Sequence, residues 1–275
     1  MEKKNEKWVL ITGASTGIGR AAAEYLSQHG FNIYAGARKT IDLDNLGKIP
    51  NVVSVSLDVT NEQDLKEVFK FISNRNTGLF GLINNAGIAL AGPAMELDIE
   101  VYRQQFEVNL FGVHSVTKTF FPLIQESQGK IIMIGSGAGL IANPFFSPYS
   151  SSKFALEGYT DALRRELMVV GIQVIMIEPG MVKTPIWDKG EIILNRYSGN
   201  LLKDEVECFG TLAITTARDI GLDPIKLAVK IHKVLTHRNP KPRYLVAPDY
   251  LQTMIMKKMP TRLLDKLIRK VMQKK

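Results

Sequence analysis

Short apolar segments alternate with longer helical patterns along most of the chain, and this alternation constrains the fold more than any other feature. The candidate strands are Trp8–Thr12, Asn32–Ala35, Val52–Leu57, Leu79–Asn84, Lys130–Ile134, Gln173–Glu178 and Arg243–Ala247. The candidate helices lie near Gly17–Gln28, Glu62–Ser73, Ile99–Gln125, Pro148–Val170 and Pro224–Thr236. Apolar strands separated by helices pair in parallel through right-handed crossovers. The sequence therefore predicts a single α/β domain with a doubly wound, mostly parallel sheet of about seven strands and helices on both faces.

The composition of the 275 residues excludes several classes of protein. A hydrophobic share of 45% excludes a disordered chain, and a single cysteine, Cys208, excludes an internal disulfide. The four histidines and this cysteine do not follow zinc-ligand spacing, so no metal is expected. The charged N-terminus lacks the apolar core of a signal peptide, and no apolar run has the length of a membrane span. We therefore expect a cytoplasmic location.

The positive charge is concentrated at the C-terminus. Of the formal net charge of +8, residues 257–275 carry +7 and residues 1–256, the expected folded domain, carry +1. In this tail the apolar residues recur at helical spacing between the bases; they are Leu263, Leu264, Leu267, Ile268, Val271 and Met272. The pattern predicts a basic amphipathic helix that packs on its own domain or a neighbouring subunit, or that makes a weak contact with an anionic membrane surface. The tail contains no aromatic residue, which argues against nucleic acid as a partner.

A glycine-rich turn joins the first strand to the first helix. Glycines permit a tight turn and a close approach of the backbone to a pyrophosphate, which rests on the helix N-terminus. The candidate cofactor contacts here are Gly13, Ser15, Thr16, Gly17, Ile18 and Gly19. Arg38 follows the second strand, where an acid would bind a ribose 2′-hydroxyl and a base would bind a 2′-phosphate. The sequence therefore favours NADP(H), with NAD(H) as the alternative.

Tyr149 and Lys153 stand four residues apart, so a helix would present both on one face. A neighbouring ammonium favours a phenolate, so we expect Lys153 to lower the pKa of Tyr149 and make it a general acid/base. Ser136 follows the strand Lys130–Ile134 and could donate a hydrogen bond to a substrate oxygen at the carboxyl edge of the sheet.

The segment 185–221 lacks a clean strand period although it contains many apolar residues. Because ligands of open α/β sheets bind outside the carboxyl ends of the strands, we expect a mobile lid over the pocket. The alternative is a helical excursion that packs on the core.

Together these motifs resemble the classical short-chain dehydrogenase/reductase family from about residue 7 to residue 184. They are the glycine turn, Leu57-Asp58-Val59, Asn84-Asn85-Ala86-Gly87, Asn109 to Gly112, Ser136, Tyr149-x-x-x-Lys153 and Pro179-Gly180-x-x-x-Thr184. The stretch from Phe146 to Tyr159 and the basic C-terminal extension are most similar to the retinol- and 17β-hydroxysteroid-dehydrogenase branch.

The resemblance implies a Rossmann fold and an oxidoreductase that acts on a CH–OH group with a nicotinamide cofactor. Tyr149 would transfer the proton, Lys153 would bind the nicotinamide ribose, Ser136 would hold the substrate oxygen, and the backbone at Asn109 would hold a water linked to Lys153. The further cofactor contacts implied are Asp58, Val59, Asn85, Ala86, Gly87, Pro179, Gly180, Val182 and Thr184. Family members commonly pair through helices that correspond to 99–125 and 148–170, which implies a homodimer or homotetramer.

Apolar residues flank the expected pocket and point to a hydrophobic secondary alcohol or ketone as substrate. They are Phe145, Phe146, Met181, Ile186 and Trp187, which would act beside Ser136 and Tyr149. The alternative function is a dinucleotide-binding sensor or scaffold protein in which catalysis is incidental.

Overall fold

The computed structural model describes residues 6–187 and 202–273. Seven strands form one sheet: β1 (Trp8–Ile11), β2 (Asn32–Ala37), β3 (Val52–Ser56), β4 (Gly81–Asn84), β5 (Lys130–Ile134), β6 (Gln173–Pro179) and β7 (Arg243–Val246). Their order across the sheet is β3-β2-β1-β4-β5-β6-β7, and all neighbours pair in parallel. The predicted doubly wound parallel sheet is therefore confirmed.

Ten α-helices accompany the sheet in the described residues. They are α1 (Gly17–Ser27), α2 (Thr40–Gly47), α3 (Glu62–Arg75), α4 (Ile99–Phe106), α5 (Gly112–Glu126), α6 (Ser147–Leu167), α7 (Lys203–Ile220), α8 (Pro224–Thr236), α9 (Tyr250–Lys258) and α10 (Thr261–Met272). The continuous helix predicted over 99–125 is wrong in one respect, since a π-helical turn, Glu107–Phe111, separates α4 from α5. The helices α2 and α9 were not expected from the sequence, and α7 was expected only as the alternative to a lid.

Successive residues of the central strand face opposite sides of the sheet, as the period of a strand requires. Val9 and Ile11 of β1 belong to one buried cluster together with α1 and α8, whereas Trp8 and Leu10 belong to a second cluster together with α3, α5 and α6. Both faces of the sheet are thus covered by helices, which explains why the strands are apolar throughout.

The strand order reverses between β1 and β4, and this reversal positions the site. The chain leaves β1 toward β2 on one side and leaves β4 toward β5 on the other. The two connections therefore diverge and leave a crevice at the carboxyl edge of the sheet, where ligands of such folds bind. Thr12 lies at this point, and its backbone N–H donates to the carbonyl of Ile83 at 3.1 Å.

The basic tail forms α10, which packs on α7. Its half-buried residues are Leu264, Ile268, Val271 and Met272, and the Cys208 thiol of α7 lies 3.6 Å from the carbonyl oxygen of Val271. One face of the predicted amphipathic helix therefore packs on its own domain. Among the residues that the structure describes, no helix combines the length and the hydropathy needed to span a bilayer.

Candidate active site

The turn between β1 and α1 requires glycine at several positions. Gly13 and Gly17 have φ values of +64° and +56°, in the left-handed region that favours glycine. A Cβ atom on Gly13 would lie 2.8 Å from the Cα atom of Ala86, and one on Gly19 would lie 2.4 Å from the carbonyl oxygen of Gly13. The turn is therefore compact, and it brings backbone amides to the N-terminus of α1, where an anion is stabilised.

Thr12 and Asn85 hold this turn against the end of β4. The Thr12 hydroxyl accepts hydrogen bonds from the backbone N–H groups of Asn85 and Ala86, each at 3.0 Å. The Asn85 side-chain amide donates to the carbonyls of Thr12 and Gly13 at 2.9 Å. Asn85, which the resemblance assigns to the cofactor, thus shapes the glycine turn through its side chain.

Arg38 and Asp58 meet beyond the ends of β2 and β3. An Arg38 guanidinium nitrogen lies 3.4 Å from a carboxylate oxygen of Asp58, and the Arg38 side chain remains 63% exposed. Burial raises the pKa of Asp58, but hydrogen bonds from Thr60 and the Arg38 charge outweigh this effect and hold the pKa below its ordinary value. Arg38 is therefore anchored by an ionised partner at the place expected for an adenosine ribose.

The loop after β6 closes over the glycine turn. The Gly180 amide donates to the carbonyl of Val246 at 2.9 Å, and Val182 forms a parallel bridge with Leu222. A Cβ atom on Gly17 would lie 3.0 Å from the Cγ2 atom of Thr184, so the two segments are in contact. The structure thus brings the predicted nicotinamide loop next to the predicted pyrophosphate turn. Pro179, the first residue of that motif, ends β6.

Tyr149 and Lys153 both lie on α6 near the carboxyl edge of the sheet, where Lys153 is buried and Tyr149 is half-buried. The Lys153 ammonium nitrogen lies 5.8 Å from the centroid of the Tyr149 ring and donates to the carbonyl of Ile134 at 2.9 Å. Ser136 follows β5, accepts from the amide of Ala138 at 3.1 Å, and lies close enough to the Tyr149 hydroxyl to act on its pKa. The three predicted side chains therefore converge.

The net shift of the pKa of Tyr149 is upward, opposite to the direction expected from the neighbouring Lys153. Loss of hydration raises the pKa of Tyr149, and the neighbouring Ser136 side chain offsets only part of this effect. Burial also lowers the pKa of Lys153 to about 8, because an ammonium loses hydration in an apolar environment. Tyr149 is therefore protonated at neutral pH, which is the form that can donate a proton.

Asn109 lies in the π-helical turn and links the catalytic helix to Ile88, in the loop that follows β4. Its side-chain amide donates to the carbonyl of Ile88 at 3.0 Å and to the Ser152 hydroxyl at 3.1 Å, and its side-chain oxygen accepts from the amide of Ile88. The Ser152 hydroxyl in turn donates to the carbonyl of Tyr149 at 2.7 Å. Sequence reasoning missed Ser152 because it stands in a run of three serines that resembles a solvated helix face.

The low pKa of Lys153 leads to a prediction on stability. The unfolded chain holds the lysine proton up to about pH 10.5, whereas the native state loses it near pH 8. The unfolded state therefore binds more protons between these values, and stability rises with pH there. Relative to Lys153→Met, we expect the free energy of unfolding of the wild type to rise by about 1 kcal/mol per pH unit from pH 8 to 10.

Urea unfolding of both proteins at pH 7, 8, 9 and 10 measures this difference. Subtracting the variant removes the contribution of Lys130, whose pKa is also lowered by burial. Curves that stay parallel across this range would contradict a buried, depressed Lys153.

Phe145 has a strained backbone on the substrate side of the site. Its φ of +64° is rare for a bulky residue, and its carbonyl accepts from the Gly92 amide at 2.7 Å. Its ring packs edge-on against Phe209 of α7, with 6.3 Å between the centroids. Phe146, which follows Phe145, is half-buried, as are Met181 and Ile186 in the segment after β6. The side chain of Trp187 lies outside the described residues.

The segment 185–221, expected to be a lid, is helical over much of its described length. Pro185–Trp187 forms a 3-10 turn and Lys203–Ile220 forms α7, while residues 188–201 lie outside the described residues. Val206, Ala213, Ile214 and Ala217 are the buried residues of α7, which agrees with the alternative of a helix packed on the core. The contact between Phe209 and Phe145 places α7 beside the expected pocket.

The remaining candidate contacts support the geometry of the site. Val59 is buried and packs against Gly112, since a Cβ atom on Gly112 would be 2.8 Å from the Cγ2 atom of Val59. Gly87 lies close to Asn109, since an added Cβ atom would be 3.3 Å from the Asn109 side-chain oxygen. In residues 6–187 and 202–273, no three His, Cys, Asp or Glu side chains gather as metal ligands do.

Comparison with known proteins gives one consistent result. A family model described as short chain dehydrogenase matches residues 7–191. The chain is 37% identical to an NADPH-dependent 3-dehydrocapnine reductase of Ornithobacterium rhinotracheale over 98% of both proteins. It is 36% identical to retinol dehydrogenase 5 of Mus musculus over 66% of this chain and 58% of that protein. The solved structure of an actinorhodin polyketide ketoreductase with NADPH is 26% identical, with a TM-score of 0.75 over 90% of this chain and 98% of that one.

Proposed function

The chain belongs to the short-chain dehydrogenase family of nicotinamide-dependent oxidoreductases, and we propose that it reduces a hydrophobic ketone to a secondary alcohol with NADPH. The observation that carries this proposal is the position of the Tyr149 hydroxyl. Tyr149 is half-buried near the carboxyl edge of the sheet, its hydroxyl lies close enough to Ser136 for that side chain to act on its pKa, and it stands one helical turn from Lys153. Such a hydroxyl can donate to a substrate oxygen that Ser136 also holds.

The glycine turn fits the pyrophosphate of a dinucleotide. The space that a Cβ atom would fill at Gly13 and Gly19 lets the backbone approach a ligand. Among the described residues no side chain caps the N-terminus of α1, which leaves its first amides to a phosphate. When bound, NADPH supplies the hydride from C4 of its nicotinamide. The loop from Pro179 to Thr184, in contact with Gly17, would hold the nicotinamide end.

The protonation of Tyr149 favours reduction over oxidation. A carbonyl oxygen gains negative charge as its carbon accepts a hydride, so it needs a proton donor. Burial keeps the proton on Tyr149 by raising its pKa, and an alkoxide is basic enough to take it. Ser136 would orient the same oxygen. Lys153 would stabilise the phenolate left behind and contact the nicotinamide ribose, and Asn109 would fix α6 through Ser152.

The residues around the pocket favour a substrate with an extended apolar part. Phe145 and Phe209 form an aromatic pair beside the catalytic helix, and Met181 and Ile186 flank the loop after β6. Two relatives carry names that specify 3-dehydrocapnine and retinol as their substrates. We propose a hydrophobic or lipid-like ketone as the substrate, with α7 beside its pocket.

We propose that Arg38 selects NADPH by pairing with the 2′-phosphate, as its exposed guanidinium beside Asp58 suggests. Replacing Arg38 with leucine is expected to raise KM for NADPH by about 10–100-fold, the range of one or two charge-assisted hydrogen bonds. KM for NADH should change little. Steady-state kinetics with both cofactors tests this, and Lys48→Leu, which removes an exposed base beyond α2, is the matched control. An equal rise in KM for both cofactors would show that Arg38 supports the structure of the site and does not select the 2′-phosphate.

The proposed reaction is tested by following NADPH consumption with aliphatic, aromatic and steroid ketones. We expect turnover that is fastest for the larger apolar ketones. NADPH binding without consumption on the whole panel would favour the sensor or scaffold function instead.

We further propose a cytoplasmic homodimer or homotetramer, on the basis of family resemblance, and no nucleic-acid partner.

A further inference from the structure

Only one side of the tail helix packs on the protein. Consecutive residues of an α-helix are rotated by about 100°, and the half-buried residues Leu264, Ile268, Val271 and Met272 occupy one sector that faces α7 and the loop 142–144. Leu263 and Leu267 belong to the same apolar stripe but remain 48% and 40% exposed. The apolar face of α10 is therefore wider than the surface that covers it.

Basic residues border the exposed part of this stripe. Lys266 and Lys270 are one turn apart on the exposed side of α10, and the rotation of the helix places them next to Leu263 and Leu267. A strip of two leucines beside two lysines, about 100° wide, thus faces solvent. An amphipathic helix with this composition lies in the interface of a bilayer, with leucines in the acyl boundary and lysines at the headgroups.

The preceding helix α9 presents a second exposed strip. Leu251 and Ile255 are one turn apart and are 72% and 55% exposed, and Lys258 follows on the same side three residues after Ile255. Only Met259 and Pro260 separate α9 from α10. A single exposed apolar residue is common on a protein surface. Pairs of them on two adjacent basic helices form a patch, and such a patch indicates a binding surface.

Both helices lie close to elements that lead to the proposed site. A cavity of about 430 Å³ lies between α10, the start of α7 and the loop 142–144, which directly precedes Phe145. On the other side, Lys257 of α9 is close enough to Glu178 of β6 to lower the pKa of that carboxyl against the effect of burial. The exposed strips therefore lie near the carboxyl edge of the sheet, where the cofactor and substrate are expected.

We propose that α9 and α10 form a docking surface for an anionic lipid bilayer, with Leu251, Ile255, Leu263 and Leu267 inserted at the interface and Lys258, Lys266 and Lys270 at the headgroups. The net charge of +7 in residues 257–275, against +1 in the rest of the chain, is complementary to anionic lipid. A second copy of the chain fits less well, because a two-fold contact would bring two equally positive surfaces together.

The advantage that this docking gives to catalysis rests on the proposed function. A lipid-like ketone partitions into the bilayer, and a pocket entrance held at the membrane surface would receive it without transfer through water. The binding itself requires no catalysis, so it is measured separately from turnover. If the protein does not bind membranes, the proposed reaction is unaffected, and if it does not reduce ketones, the proposed membrane binding is unaffected.

The test is sedimentation of the full-length protein with NADPH and vesicles of phosphatidylcholine alone or with about one third phosphatidylglycerol. We expect binding to the anionic vesicles that weakens as salt is raised. Lys266→Glu with Lys270→Glu should weaken it by at least about thirtyfold, and Leu263→Ser with Leu267→Ser should weaken it at every salt concentration. The matched control is Lys66→Glu with Lys70→Glu, an exposed pair one turn apart on α3, which should bind as the wild type does.

All three double variants should retain turnover of a water-soluble ketone, which shows that the fold and the active site are intact. The proposal is overturned if the wild type does not sediment with anionic vesicles. It is also overturned if the lysine and leucine variants of α10 sediment with them as much as the α3 control does. It is also overturned if the leucine variant becomes a smaller oligomer without vesicles, which would assign the strip to a contact between copies. Binding of RNA in place of vesicles, with the leucine variant unaffected, would likewise overturn it.

Discussion

Replacing Tyr149 with phenylalanine is expected to lower kcat/KM for ketone reduction by about 10²–10⁴-fold, the range associated with a positioned general acid. The substitution removes one hydroxyl, and the ring keeps its place beside Lys153 and the end of β5. The affinity for NADPH should therefore stay within about threefold of the wild-type value, because the lost interaction belongs to the transition state. Fluorescence titration with NADPH and steady-state kinetics measure the two quantities.

The same helix provides a matched control. Tyr159 lies ten residues further along α6, and its hydroxyl contacts His114 at 3.3 Å, away from Ser136. Tyr159→Phe removes an identical hydroxyl and should leave kcat/KM nearly unchanged. A Tyr149→Phe enzyme that keeps more than about a tenth of the wild-type activity would show that another group supplies the proton.

Replacing Arg243 with methionine is expected to lower the free energy of unfolding by about 3–5 kcal/mol at pH 7.5, because it leaves buried carboxylates without a partner. The Arg243 guanidinium pairs with Glu157 of α6, with Glu178 of β6 at 2.9 Å and with Asp161 of α6 at 2.9 Å. Glu157 and Glu178 are almost fully buried. This one cation therefore ties the catalytic helix to the strands that lead to the nicotinamide loop.

The pH dependence of the free energy of unfolding identifies the cause of the lost stability in Arg243→Met. Burial already holds the pKa of Glu178 above its ordinary value, and the loss of Arg243 should raise it further, so the native variant would bind more protons and gain stability as the pH falls. The difference between the variant and the wild type should therefore be smaller at pH 5 than at pH 7.5 in urea unfolding. Arg103→Met, which breaks an exposed pair with Glu100, should cost less than about 1 kcal/mol. A similar small cost for Arg243→Met would contradict this account.

The sheet could be predicted from the sequence because its strands are buried on both faces. Burial on both sides demands continuous apolar runs such as Ile131 to Ile134, and these stand out from the helices between them. The helix α2 gave no such signal, since Leu46 is its one fully buried residue. The helix α7 rests partly on α10, and the sequence indicated it only as the alternative to a lid.

The site could be predicted in its chemistry but not in its electrostatics. The spacing of Tyr149 and Lys153 places them on one face of a helix, but spacing carries no information on the depth of burial. That depth reverses the expected shift of the pKa of Tyr149 and lowers that of Lys153. The support from Ser152 and Arg243 also escaped notice, because such contacts join residues that are far apart along the chain.

Hydride transfer to a ketone, with Tyr149 giving the proton, is the central claim, and isotopic labelling tests it most directly. The wild type and Tyr149→Phe are incubated with NADPH that carries deuterium at the transferable C4 position and with the panel of hydrophobic ketones. Mass spectrometry of the products should show one deuterium on the carbinol carbon of the secondary alcohol, formed by the wild type and almost absent with the variant. Bound NADPH that delivers deuterium to no ketone, or equal labelling by both proteins, would contradict the claim.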